Sequence, residues 1–352
     1  MAAAALARRA VTVCALLVLL AAAAAALAVA AVLSTPVCLP ARGRWRAVRL
    51  AGFGVAYLAL DVWTVACAAA IWVRCARPAP DREQRREQLI LALAERSLGR
   101  MYAAGRRAFG LRAEIAADGA ALRDAAPGGI SGPVLVLCRH GGPGDTLLLV
   151  YALLAYSRRR PAIVLKRMLM LDPWVDILLA RIPHVSVRPG GDDQARAIGA
   201  LAARLEPRDA LVLFPEGGNF TPERRQTGIA RLRQLGHPRQ AARAARMRHV
   251  LAPHPAGTLA ALAAAPGADV VIVAHAGLGH LYSFAEIWRG LPLRRPLRVT
   301  WWTVPSAAIP PGDQARTRWL FDQWAQVDRW IAAQAAAPAG PAREGPAMDP
   351  VP

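Results

Sequence analysis

Acidic residues are scarce in this chain, and the places where charge is missing say the most about it. Asp and Glu number 24 against 44 Lys and Arg, a formal charge of +20 over 352 residues. From Ala10 to Pro40 no side chain is charged. Cysteine is sparse as well: Cys14, Cys38, Cys67, Cys75 and Cys138 show no C-x-x-C pair and no metal-ligand spacing. That usage argues for a reducing compartment and against a structural zinc. There is no internal repeat and no nucleic-acid-binding motif, and the arginines are scattered among apolar segments, which speaks against DNA or RNA. The positive surplus points instead to phospholipid headgroups or phosphorylated metabolites.

What is plentiful is apolar. Hydrophobic residues make up 55% of the chain, more than a soluble enzyme needs. About 20 apolar residues span a bilayer, so the charge-free run is a transmembrane candidate. It is long for the core of a signal peptide, and a second apolar segment follows at Leu50 to Val73, so a retained anchor is expected. The second segment carries Asp61 near its middle, where a carboxylate costs about 2.5–3.5 kcal/mol unless paired or protonated. Arg42, Arg44, Arg46 and Arg49 between the segments disfavour placing that loop outside the cell. Either the pair enters the membrane as a hairpin without fully crossing, or only one member spans. The expected location is the cell membrane, with the following domain on the cytoplasmic side.

The organisation reads as a hydrophobic anchor and basic linker over 1–80, an α/β domain over 81–335, and a disordered Ala/Pro-rich tail over 336–352. Asp81 to Phe109 is an amphipathic helix that either lies on the membrane or caps the domain. Short apolar strands at Val134–Leu137, Ala162–Leu165, His184–Val187, Ala210–Phe214, Val270–Ala274 and Leu297–Thr303 alternate with helical stretches. Those are Asp193–Leu205, Arg224–Leu235 and the shorter Gly257–Ala264. Such alternation predicts an α/β fold with a mainly parallel central sheet flanked by helices. A last helix, Gln314 to Ala332, carries Trp319, Trp324 and Trp330, suited to a membrane interface or to burial against the sheet.

Two segments carry chemistry: Arg139-His140-Gly141-Gly142-Pro143-Gly144-Asp145 and Phe214-Pro215-Glu216-Gly217-Gly218. Residues five apart sit roughly 140° around a helix and on opposite sides of a strand. His140 and Asp145 therefore meet only if the chain between them curls, which three glycines and a proline permit. A strand precedes this turn and an apolar helix, Thr146 to Tyr156, follows it, so Asp145 is expected at a helix N-terminus. Cys138 is expected to be a buried strand-end residue rather than a nucleophile.

The order His-x4-Asp, a basic–apolar–proline segment and Phe-Pro-Glu-Gly resembles the glycerophospholipid acyltransferase family, from about Asp81 to Ile331. His140 and Asp145 match its first motif, Lys166 and Pro173 its second, and Phe214 to Gly217 its third; Arg188 resembles the basic residue that closes the second. His249-Val-Leu-Ala-Pro253 looks like a further segment, and Val270–Ala274 occupies the place of the fourth. The chain departs from the pattern at Arg139, Asp176, Gly218, Asn219 and His254, and the fourth block lacks its proline. The resemblance implies transfer of an acyl group, from acyl-CoA or acyl carrier protein, to a lysophospholipid such as 1-acyl-glycerol-3-phosphate. It implies His140 as general base, oriented by Asp145, with no metal and no cofactor beyond acyl-CoA as co-substrate. Glu216 and the amides around Gly217 and Gly218 would hold the acceptor's polar head. Lys166, Arg188, Arg224 and Arg225 would neutralise a phosphate, against the simpler reading of a solvated basic face.

Two other readings compete. Arg139-His140-Gly141 also resembles the histidine phosphatase signature, in which Arg139 grips phosphate, His140 attacks phosphorus and His275 supports the transferred group. That reading leaves Asp145 and the Phe-Pro-Glu-Gly block without a purpose. A non-catalytic membrane scaffold needs neither. Geometry separates the three. Acyl transfer requires His140 and Asp145 in hydrogen-bonding reach beside Glu216, and the phosphatase requires Arg139, His140 and His275 to share a cavity.

Overall fold

The computed structural model describes residues 2–39, 44–115, 131–142, 144–179, 181–187, 193–279, 281 and 283–336. In chain order it contains α1 (Ala2–Cys38), α2 (Arg46–Arg74), α3 (Arg82–Phe109), β1 (Ala113–Ile115), β2 (Val134–Cys138) and α4 (Asp145–Ala155). There follow β3 (Arg160–Lys166), a 3-10 turn at Arg167–Leu171, α5 (Pro173–Leu179), β4 (His184–Val187), α6 (Asp193–Ala202), β5 (Asp209–Leu213), α7 (Pro222–Gln234) and α8 (Pro238–Arg246). The chain closes with α9 (Pro255–Ala264), β6 (Asp269–Ala276), α10 (Phe284–Gly290), β7 (Leu297–Val304) and α11 (Asp313–Ala336). Of the C-terminal tail, residues 337–352 fall outside the described part.

The strands form one sheet of seven in the order β1-β7-β6-β2-β5-β3-β4. All neighbours run parallel except β6 and β7, which pair antiparallel with Val273 opposite Trp301. Every residue of β2 and β5 is buried, as expected of central strands covered on both faces. Side-chain alternation sends Leu135, Leu137, Leu211 and Ile272 to one face, against α6, α7, α8, α9 and α11. Val134, Val136, Val212 and Val271 face the other way, toward Leu149 and Leu153 of α4. The α/β fold with a mainly parallel sheet is thus the one that the alternation of apolar runs predicts.

On the α4 side the layers continue outward. The amphipathic helix α3 caps the domain, burying Ile90, Leu93, Leu98 and Tyr102 with Val150, Tyr151 and Leu154 of α4. Gly99 permits that approach, because a Cβ there would stand 3.3 Å from the Tyr151 ring. Next comes α2, which touches the domain along its whole length. Arg46 Nε donates to Leu291 O (3.1 Å), Tyr57 bonds Asp172, Thr64 and Ser97 share a hydroxyl contact (2.9 Å), and Arg86 Nη2 donates to Cys75 O (3.2 Å) just past its end. Asp61 is buried on this inner face, so its carboxylate is turned away from the outer surface of the helix pair.

Outermost lies α1, packed on α2, with Arg9 paired to Asp176 of α5 at 2.7 Å. Leu17, Val18, Val29, Val32 and Leu33 are exposed along it. Both Val11–Cys38 and Arg46–Arg74 are long and apolar enough to cross a membrane. Opposite them, on the far face of the sheet, α11 buries Trp324 completely and packs Trp319 and Trp330 against the core. Of the two readings of those tryptophans, burial holds.

Candidate active site

The site is built where β2 ends. Arg139 N–H still donates to Val273 O (3.1 Å), after which the chain leaves the sheet. It must turn within a few residues into α4, and Gly144 does so at φ 88. Gly141 and Gly142 are needed for close approach. A Cβ at Gly141 would lie 2.1 Å from Arg139 Nη1 and 2.8 Å from His275 Cε1, and one at Gly142 2.8 Å from Leu278 O.

That curl brings the two candidate residues together. His140 Nδ1 lies 3.0 Å from Asp145 Oδ2, which also accepts the N–H groups of Gly141 (2.9 Å) and Gly142 (3.3 Å). Oδ1 takes the Thr146 N–H at 2.7 Å. Facing a carboxylate, Nδ1 carries the proton, so Nε2 presents its lone pair. The imidazole packs on Phe214 at 4.6 Å between ring centroids and stays partly exposed, whereas Asp145 is buried. Burial alone would raise the Asp145 carboxyl. The imidazoles of His140 and His275 outweigh it and hold the group well below the usual carboxylate range.

Glu216 is brought to the same place, in a different part from the one expected. It is buried, with Oε1 accepting the His140 N–H (3.1 Å) and Oε2 the Leu251 N–H (2.8 Å). Both oxygens are occupied by backbone, so the carboxylate braces the strand end behind His140 instead of facing an acceptor. Burial pushes it up to about 7, against the pull of the Arg139 guanidinium and of those two N–H groups. The turn after it is self-bonded: Gly217 (φ 68) donates its N–H to Phe214 O at 2.9 Å, and Phe220 N–H donates to His140 O at 2.9 Å.

The candidate cations separate. Arg224 is exposed, with Nη1 on Asn219 O at 3.2 Å, where a Cβ at Gly218 would meet it. Arg225 is committed elsewhere, its Nε on Met247 O (2.6 Å) and Nη2 on Ala245 O (2.8 Å). Lys166 is placed by its backbone alone, at the end of β3, and Arg188 lies outside the described residues.

Arg139 and His275 fail the geometry that phosphate chemistry requires. The Arg139 guanidinium is buried and donates to His275 O (3.1 Å) and His249 O (2.9 Å). His275 is buried behind Asp145, with Nε2 at 3.1 Å from Arg139 O and 3.6 Å from Asp145 Oδ2. Both side chains are closed off from solvent, whereas His140 keeps an exposed edge. Cys138 is buried at the strand end, and burial first, then the nearby Asp145 and Glu216 carboxylates, push its thiol well above its usual range. Sequence reasoning missed the Leu251 amide and the Asp328 carboxylate, which accepts the His249 N–H at 2.6 Å. The His249–Pro253 segment was the available signal for both.

Comparison with known proteins adds a family. No curated protein matches the chain significantly. A family model described as Acyltransferase matches residues 118–276, the stretch that holds β2, His140, Asp145, Glu216 and β6. Over that stretch the chain is therefore similar to the acyltransferase family, which supports acyl transfer in general.

Proposed function

We propose that this protein is a membrane-associated O-acyltransferase that moves a fatty acyl group from a thioester donor, acyl-CoA or acyl carrier protein, to the hydroxyl of a lysophospholipid such as 1-acyl-glycerol-3-phosphate. The observation that carries the reading is the His140–Asp145 hydrogen bond. It orients one imidazole nitrogen toward the exposed edge and leaves a buried carboxylate to stabilise the imidazolium. His140 Nε2 takes the acceptor hydroxyl proton as its oxygen bonds to the thioester carbonyl carbon. When the tetrahedral intermediate collapses, the C–S bond breaks and the imidazolium returns that proton to the departing sulfur. The products are an ester and a thiol, and no electron changes hands.

Glu216 acts in this scheme through His140, fixing its peptide N–H. Arg224, exposed beside the Gly218 turn, is the candidate for the acceptor's phosphate. The exposed apolar surface of α1 supports lipid contact, and α2, held along the domain, supports a hairpin that enters the membrane from the side of the catalytic domain. Arg44, Arg46 and Arg49 near the hairpin turn favour the cytoplasmic face.

His140→Ala is the test. Transfer from acyl-CoA to a lysophospholipid is expected to fall about 10²–10⁴-fold, the usual worth of general-base catalysis, while thermal unfolding and vesicle binding stay as in the wild type. A variant that transfers at the wild-type rate refutes the mechanism.

A further inference from the structure

One buried imidazole beside the site has no step in the reaction. His275, near the end of β6, is 4% exposed and stands opposite Val299 of β7. Its Nδ1 is buried and finds no partner among the described residues. An apolar side chain would fill the space without stranding a polar atom, so packing alone does not account for an imidazole there. Its Nε2 has two acceptors in front of it, Arg139 O at 3.1 Å and Asp145 Oδ2 at 3.6 Å. Facing two acceptors, Nε2 carries the proton.

Both acceptors lead to His140. Arg139 O belongs to the peptide that joins Arg139 to His140, and the N–H of that same peptide donates to Glu216 Oε1 at 3.1 Å. Because the peptide is planar, His275 on its C=O and Glu216 on its N–H hold one rigid unit from opposite edges. The His140 carbonyl is held in turn by the Phe220 N–H at 2.9 Å. The loop is closed down onto the imidazole, since a Cβ at Gly141 would lie 2.8 Å from His275 Cε1. At 3.6 Å the approach to Asp145 is too long for a hydrogen bond, yet the positive N–H edge still offsets part of the carboxylate's charge. The remaining charged groups of this cluster converge on Arg139, whose guanidinium donates to His275 O at 3.1 Å. They are Glu216, Cys138 at the end of β2 and Asp328 of α11.

We propose that His275 is a positioning residue for acyl transfer: its Nε2–H fixes the Arg139–His140 peptide and shares the Asp145 carboxylate, and so sets both the aim and the basicity of His140. This rests on the acyl-transfer reading and extends it to a residue outside the His140–Asp145 pair. His275 touches neither the thioester nor the acceptor hydroxyl. Removing its N–H leaves more of the Asp145 charge to favour the His140 imidazolium. The unprotonated ring that accepts the hydroxyl proton is then reached only at higher pH.

Two amide substitutions separate this role from packing. The side-chain amide of glutamine can stand where His275 Nε2 stands, whereas that of the shorter asparagine falls near the place of Nδ1. In H275N, kcat/KM for transfer from palmitoyl-CoA to 1-acyl-glycerol-3-phosphate is expected to fall about tenfold, with the acid limb of its pH profile moved up by about half a unit or more. H275Q should stay within about threefold of the wild type, with the limb in place. An NMR titration of the histidine rings needs no substrate; the His140 signal, identified by its loss in His140→Ala, should move upward in H275N in the same way. Should H275N fail to fold, H275M, which also lacks the N–H, takes its place. Equal losses in both variants, with the acid limb and the His140 titration unmoved, mean that His275 only packs and overturn the inference. So does an H275N protein as active as the wild type. A wild type that transfers no acyl group removes the acyl-transfer reading, and the NMR titration then decides by itself whether His275 acts on His140.

Discussion

Two buried carboxylates do opposite things around His140. Asp145 is surrounded by donors and held below its usual range, so its contribution to stability is present above the unfolded value, near 3.9, and is lost only as pH falls through the lower folded one. Mild acid therefore leaves its link to the histidine in place. Glu216 is raised, so the folded state binds more protons than the unfolded one between about 4.5 and about 7, and its contribution weakens as pH rises through that window. Urea unfolding at pH 5 and pH 7 should show wild type losing more stability on that rise than Glu216→Gln does. Equal losses would mean that the carboxyl ionises freely. His140 and Asp145 could be paired from the sequence because the three glycines and the proline between them permit a tight curl. The work of Glu216 could not, since its second partner, Leu251, comes from a loop 35 residues on.

Among the elements, those with long apolar runs or a clear amphipathic period were legible, and the short ones were not. Each of the six strands expected from the sequence appears within a few residues of its place. β1, three residues of Ala-Glu-Ile, carries too little pattern to be seen and exists because it pairs with Leu297–Val299 of β7. α8 and α10 lack a long apolar stripe, and α10 buries none of its residues. The helix pair α1–α2 was legible as apolar, but its packing was not. Tyr57 looks misplaced in an apolar helix until Asp172 and Trp174 are seen beside it. On the outer side of α1, Val18 and Val32 are 69% and 71% exposed. Replacing both with Lys should reduce flotation with vesicles and leave the unfolding midpoint unchanged. Undiminished flotation would deny α1 its contact with lipid.

As a whole the molecule is layered. Apolar helices lie outermost on one side, the sheet with the candidate site at its rim occupies the middle, and an arginine-studded pair of helices covers the other side. In the proposed reaction the lipid acceptor would approach from the α1–α2 side. Net charge and apolar content point to lipid and to anions, but not to their segregation. That depends on which face of the sheet each helix covers, a matter of crossover direction that composition does not encode.

The central claim is that the exposed imidazole edge moves protons for acyl transfer. The most direct measurement incubates the purified protein with a labelled acyl thioester and 1-acyl-glycerol-3-phosphate, follows the diacyl product by mass spectrometry, and assays free phosphate in the same tubes. The account predicts diacyl product, no phosphate, and loss of that product in His140→Ala. Phosphate release without acylated product, across several acceptors and chain lengths, would contradict it.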